Sequence, residues 1–301
     1  MFSYADLVKE IGIFNTYGVE VGSIGESVLG ERIPYIFVGK KNGDAILVQG
    51  AIHAREHITA LLVLCQAKFL VKHSDYLMKG GIYFVPMVNV DGVKIAQEGV
   101  DFIDNKKLRK QLIEINGSKD FSLWKANANA VDLNTNFDAK WGQGETNLFF
   151  RSPSNYVGKC PCSEPESRAL ASFTERISPL ATLSYHCKGE VIYWKFSQSK
   201  TRMARDARLA KGVSALTGYP LGNSDGSTGG YKDWCIDKLN ISALTIEVGD
   251  DKFDHPFPYS EFESILNKNE DVPRKLLNTV VREKEKTMTA EEIVDLPRVL
   301  N

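Results

Sequence analysis

The stretch AILVQGAIHAREHITALLVLC, residues 45–65, changes periodicity around two histidines and a glutamate. Its opening is a continuous apolar run, which predicts a buried β-strand ending at His53. From Glu56 to His73 the apolar residues take the spacing of a long amphipathic helix. A strand feeding a helix through a short turn is the unit of an α/β sheet, and the carboxyl ends of such strands are where these sheets build sites. His53, Glu56 and His57 stand in that turn.

Two chemistries fit these letters. In one, His53 and Glu56 supply two ligands of a zinc ion, both side chains pointing into a crevice at the strand end. In the other, His53 and His57 bind the metal from one helical face and Glu56 does the proton work. The second needs His53 to be helical already, and the Gly50-Ala51-Ile52 run before it argues against that. His57 then reads as an ordinary first-turn residue. Alone the pair is a weak signal, because a surface histidine with a glutamate favoured by the helix dipole looks the same.

Further out, PYIFVGKK (34–41), IYFVPMVNVDGV (82–93), ATLSYHC (181–187), EVIYWKF (190–196) and SALTIEVG (242–249) read as strands. TRMARDARLAKGVSALTG (201–218) reads as a helix ended by Gly218, and GYKDWCIDKLN (230–240) as a short helix. SEPESRALASFTERI opens a helix with a Ser163–Glu166 capping box. Residues 99–159 form a less regular polar stretch, where long loops and substrate contacts are expected. Residues 259–288 are charged and mostly helical, with a break at Pro273, and about 290–301 looks like an irregular tail. No repeat or composition break marks a second domain, so residues 1–301 are expected to form one.

The 301 residues, 43% hydrophobic and 25% charged, can bury a large core without disulfides. A net charge of -1 lacks the electrostatic excess of a nucleic-acid binder. Five cysteines are odd in number and sparse, which favours reduced thiols; Cys160-Pro-Cys162 lacks the second pair that a metal site would need, and Cys187, next to His186 on a strand, should face the other way. No signal peptide and no membrane-spanning run is read, so a cytoplasmic location is expected. The oligomeric state is not readable from the sequence.

GAIHAREH (50–57), LSYHCKGEVIYW (183–194), GGYKDWCIDKLNISALTIEVGDD (229–251), LWKANANAVDLNTNFDAKWG (123–142) and SEPESRAL (163–170) together resemble the zinc carboxypeptidase family of the carboxypeptidase A type. The resemblance implies a single α/β domain with a central mixed, twisted sheet of about eight strands flanked by helices on both faces. It implies one zinc ion held by His53, Glu56 and His186, and Glu247 as the base that takes a proton from water and returns it to the leaving amine. Arg55 resembles an arginine lining the substrate groove.

Two departures stand out. Relatives resembling this chain would carry arginines where Asn129 and Thr135 stand. The second arginine normally clamps a free C-terminal carboxylate together with the asparagine at Asn134, a bidentate task beyond threonine. The first helps to stabilise the tetrahedral oxyanion. Asp225 falls near the place of an overhanging tyrosine. What remains is most similar to the bacterial branch that cleaves γ-D-glutamyl bonds to diamino acids in peptidoglycan stem peptides. There Lys232 would lie near the pocket for the primed-side residue and could meet an acidic group such as a carboxylate of diaminopimelate. The expected partner is thus a peptide or muropeptide substrate. Two alternatives are a metallocarboxypeptidase that holds the C-terminus with Arg151, Lys125 or Lys140, and a zinc-bearing binding protein without catalysis.

Overall fold

The computed structural model describes residues 1–41, 43–73, 79–223 and 226–294, with side chains to 286. The chain runs α1 (Tyr4–Thr16), β1 (Glu20–Glu26), β2 (Arg32–Gly39), β3 (Ala45–Gln49), α2 (Ile58–Lys72), β4 (Gly81–Val85), α3 (Val90–Glu98), α4 (Lys106–Asn116), α5 (Pro165–Ile177), β5 (Ala181–Cys187), β6 (Val191–Tyr193), α6 (Lys200–Thr217), α7 (Tyr231–Asp237), β7 (Ser242–Val248), α8 (Phe262–Asn269) and α9 (Val272–Val294).

The described strands form one sheet of seven, in the order β1-β2-β4-β3-β5-β7-β6. Its centre, β4-β3-β5-β7, is parallel, and both edges are antiparallel. Parallel strands are covered on both faces, and Ile46, Leu47 and Val48 of β3 are fully buried whichever way they point. Each such side chain contributes about 1.5–3 kcal/mol.

Alternation along β5 identifies the two layers. Tyr185 points to α2 and α8: its hydroxyl accepts from Gln66 Nε2 at 2.8 Å, and the same amide donates to Asn269 O. Thr182, on the other face with His186, lies toward α7, which packs against β5 and β7. Tyr231 of α7 in turn meets Thr174 of α5 at 2.8 Å. Cys187 therefore shares the Tyr185 face.

Several local expectations shift. The apolar run after β4 is not strand throughout. Pro86 follows the strand, and Asn89 caps a helix by accepting the Gly92 N–H at 3.0 Å, so Val90 and Val93 are buried from α3. The Ser163–Glu166 capping box does not form. Pro165 takes the first helical position and makes Glu164 the cap, while Glu166 turns to Val28 N and Asn127 Nδ2, both at 3.1 Å. The strand expected over 190–196 narrows to β6. The break expected at Pro273 falls where α8 ends at Asn269 and α9 begins at Val272, with Pro273 in the first turn of α9, where no N–H partner is needed. Of the expected tail, 290–294 is helical and 295–301 lies outside the described residues.

Residues 99–159 carry one α-helix, α4, capped by Asn105 and ended by the left-handed Gly117, and a short 3₁₀ turn, Leu133–Thr135. The remaining loop is fixed by its own small core, in which Trp124, Leu112, Ile95 and Phe121 pack beneath Ala54 of the His53–Glu56 turn.

Candidate metal centre and adjoining pocket

After β3 the backbone passes through a crowded corner. A Cβ on Gly50 would lie 2.8 Å from Thr59 O and 3.1 Å from Pro86 O. Ala51 then adopts the left-handed region at φ 47°, a conformation costing on the order of 1–3 kcal/mol. Its N–H donates to Thr59 Oγ1 at 2.8 Å and its carbonyl accepts from Asn89 N at 3.1 Å. His53 follows in an extended conformation, φ -95°, ψ 130°, and a 3₁₀ turn, Ala54–Glu56, carries Glu56 round before α2 begins.

This corner and the end of β5 bring three buried side chains together. His53 Nδ1 lies 2.9 Å from Glu56 Oε1, His186 Nδ1 lies 3.1 Å from Glu56 Oε2, and the two Nδ1 atoms are 3.1 Å apart. His186 Nε2 is buried without a partner. Two imidazole nitrogens and a carboxylate turned inward on one point fit zinc: the donor types are those it takes in catalytic sites, and three protein ligands leave a position open. Burial would raise Glu56, but His53 and His186 outweigh it and hold the carboxyl well below its usual range.

Asp132, absent from the sequence reading of the site, stands behind His53. Its Oδ1 lies 3.2 Å from His53 Nε2, an ion-pair contact without hydrogen-bond alignment, and its Oδ2 lies 2.9 Å from Lys125 Nζ. Asp132 also accepts from Asn134 N and Asn155 N at 3.1 and 3.0 Å. Burial opposes its ionisation, yet Lys125 and His53 hold the carboxyl far below the usual range. A buried carboxylate beside Trp124-Lys125 in the quoted loop was the available signal.

Glu247 is the Cα partner of His186 across β5 and β7. It keeps some open surface toward a pocket and is otherwise enclosed by protein. Burial pushes its carboxyl up to about 7, with His186 lowering it and Glu56 raising it further. His57 takes no part in the cluster: its Nδ1 lies 2.7 Å from Tyr259 Oη, and burial brings its pKa down to about 4.

The pocket beside Glu247, ≈ 310 Å³, is lined by Asn134, Tyr193, Thr245, Lys232 and Asp233 among others. A larger groove of ≈ 470 Å³ between α6 and α9 contains no residue of this cluster. Asn134 Oδ1 accepts from Tyr231 N at 3.0 Å. Lys232 is ion-paired to Asp233, which the sequence reading missed. Arg55 projects from the Ala54–Glu56 turn. Asn129 and Thr135 are engaged elsewhere: Asn129 Nδ2 donates to Glu164 Oε2 at 2.8 Å, and Thr135 Oγ1 to Asp132 O at 3.0 Å. Arg151 Nε is held by Asn129 O at 2.9 Å, and Lys140 lies over the Phe196 ring. The Asp225 position lies outside the described residues.

The class of protein that this fold and cluster define is the zinc carboxypeptidase: the family profile matches residues 17–271, and the chain belongs to that family. Among curated relatives it is similar to gamma-D-glutamyl-L-diamino acid endopeptidase 1 of Lysinibacillus sphaericus, 35% identical over 263 residues, 80% of this chain and 63% of that protein. It is also 33% identical to murein peptide amidase A of Escherichia coli over 132 residues, 41% of this chain and 50% of the amidase. The fold is shared with bovine thrombin-activatable fibrinolysis inhibitor, solved in complex with tick carboxypeptidase inhibitor, at TM-score 0.76 and 24% identity over 93% of this chain and 97% of that one. The chain thus spans less than two thirds of the length of these curated relatives. No helix among the described residues is long and apolar enough to cross a membrane.

Proposed function

We propose that the chain is a zinc-dependent peptidase that hydrolyses the γ-D-glutamyl bond to a diamino acid in peptidoglycan stem peptides. The observation that carries this reading is the convergence of His53, Glu56 and His186, with Glu247 in register beside them at the mouth of the pocket. Those three residues would hold the ion, which when bound polarises the scissile carbonyl and makes a water a ready nucleophile. Glu247 takes the proton of the attacking water and passes it to the departing amine, so that one water is consumed and one amine and one carboxyl are released. Asp132 holds the His53 ring in orientation, and Lys125 neutralises Asp132.

Two further points support the bond named. Thr135 offers no cation and its hydroxyl is spent on Asp132 O, so this position supplies no clamp for a free C-terminal carboxylate. A substrate continuing beyond the cut bond is then acceptable. The Lysinibacillus relative is a gamma-D-glutamyl-L-diamino acid endopeptidase. Incubating the protein with defined muropeptides and weighing the products by mass spectrometry tests it, with a free diamino acid amine expected. Activity confined to ordinary peptides, and abolished by blocking their terminal carboxylate, would instead establish a carboxypeptidase.

A further inference from the structure

The groove between α6 and α9, ≈ 470 Å³, lies apart from the metal cluster and from the pocket beside Glu247. Leu209 and Val213 of α6 form its apolar floor, and Leu216, 45% exposed, stands on its rim. Among the residues that line it, Arg274, Lys275 and Arg282 are ionised and none is a carboxylate. Asp271 pairs with Arg274 and stands 4.0 Å from Lys275, so part of this charge is met at one end. Lys275 and Arg282 are exposed, and seven residues apart they share one face of α9. An apolar floor between cations complements a segment that is apolar and acidic at once.

The second half of α9 has that composition. From Val272 to Arg282 every ionised residue is basic; from 287 to 295 every one is acidic, Glu291, Glu292 and Asp295, interspersed with Met288, Ile293 and Val294. One helix runs through both parts as far as Val294. At a rise of about 1.5 Å per residue, it holds Glu291 about 24 Å from Lys275 of the same chain, so the acidic end cannot reach its own groove. A second copy running antiparallel brings it there. The contact then forms twice about a two-fold axis, each acidic end against the other copy's groove. An axis between Glu283 and Lys284 sets Lys275 of each copy at the level of Glu292 of the other. We infer that the α6–α9 groove is the docking surface for residues 287–295 of a second copy of this chain, and that the protein pairs with itself through α9.

Light scattering on the full chain as it leaves a sizing column tests this, with twice the mass of one chain expected at high loading. A single-chain mass at every loading overturns the inference. Two double variants then locate the interface: Glu291→Lys with Glu292→Lys reverses the acidic end, and Lys275→Glu with Arg282→Glu reverses the groove. Each alone is expected to run at the mass of one chain, because like charges then meet at both contacts. Mixed in equal amounts, the two should recover the paired mass, since the reversed end meets the reversed groove and the unaltered end the unaltered groove. Unchanged melting curves show that each variant is folded. Should the groove variant fail to fold, the variant of the acidic end decides alone. A pair that survives reversal of either face, or two folded variants that do not combine, overturns the assignment.

Discussion

His186 and Glu247 face each other across two neighbouring parallel strands, the last residues but one of β5 and β7. Strand alternation sends both side chains to the α7 face, and a one-residue slip would turn one of them away. The pairing predicts separable losses. Glu247→Gln should lower kcat by about 10²–10⁴-fold while zinc content, read by elemental analysis, stays at one per chain. Glu56→Ala should lose the metal itself.

His57 sits directly behind Glu56, yet its ring is committed to Tyr259. Substituting His57→Gln is therefore expected to leave zinc stoichiometry untouched and to cost about 1 kcal/mol of stability through the lost buried hydrogen bond. Loss of metal in this variant would revive the reading in which two histidines on one helix bind zinc.

Asp132 acts through His53. Asp132→Asn keeps the shape but gives up the charge shared between His53 and Lys125. Zinc affinity, measured by competition with a chelator, should weaken about 10–100-fold. An unchanged affinity would make Asp132 a loop-folding residue, through its bonds to Asn134 and Asn155, and nothing more.

Far from the metal, Glu166 lies buried under Val28 and Asn127, and burial, with Asp91 adding to it, raises its carboxyl to about 7 from an ordinary 4.5. Folding therefore takes up a proton at this group. Its contribution is fully present below about pH 4.5 and is lost as pH rises through about 7, a change on the order of 3 kcal/mol. Urea unfolding near pH 5 and near pH 8 should show a steeper loss in the native chain than in Glu166→Gln, which cannot titrate.

The strand–turn–helix at 45–73 is legible in sequence because its cues are local: an apolar run, a glycine corner and a helical period. Gly218 ends α6 in the left-handed conformation, as its letter suggests. What lies beyond reach is fixed by contacts between distant segments. Asn129 looks like a failed arginine until Glu164, 35 residues away, is seen to hold it. Lys232 looks like a free cation until its neighbour Asp233 proves to turn inward with it. The misread strand over 82–93 has a different cause. Its valines are apolar enough for either element, and the deciding residues are a proline that stops β4 and an asparagine that caps α3. The edge strands follow the same logic: β6 is shorter than its apolar letters allow, because only three of its residues pair with β7.

Of the three clustered side chains, His53 and Glu56 come from one turn while His186 arrives 130 residues after Glu56. A nascent chain still short of β5 therefore exposes half a binding site, able to touch a metal ion but not to enclose it. The proposed metal site is complete only once β5 has docked beside β3, so capture of an ion there would report that pairing. Newly made protein deprived of zinc should accumulate as a folded but more readily opened species, distinguished by faster hydrogen exchange at β5 and at the 54–56 turn.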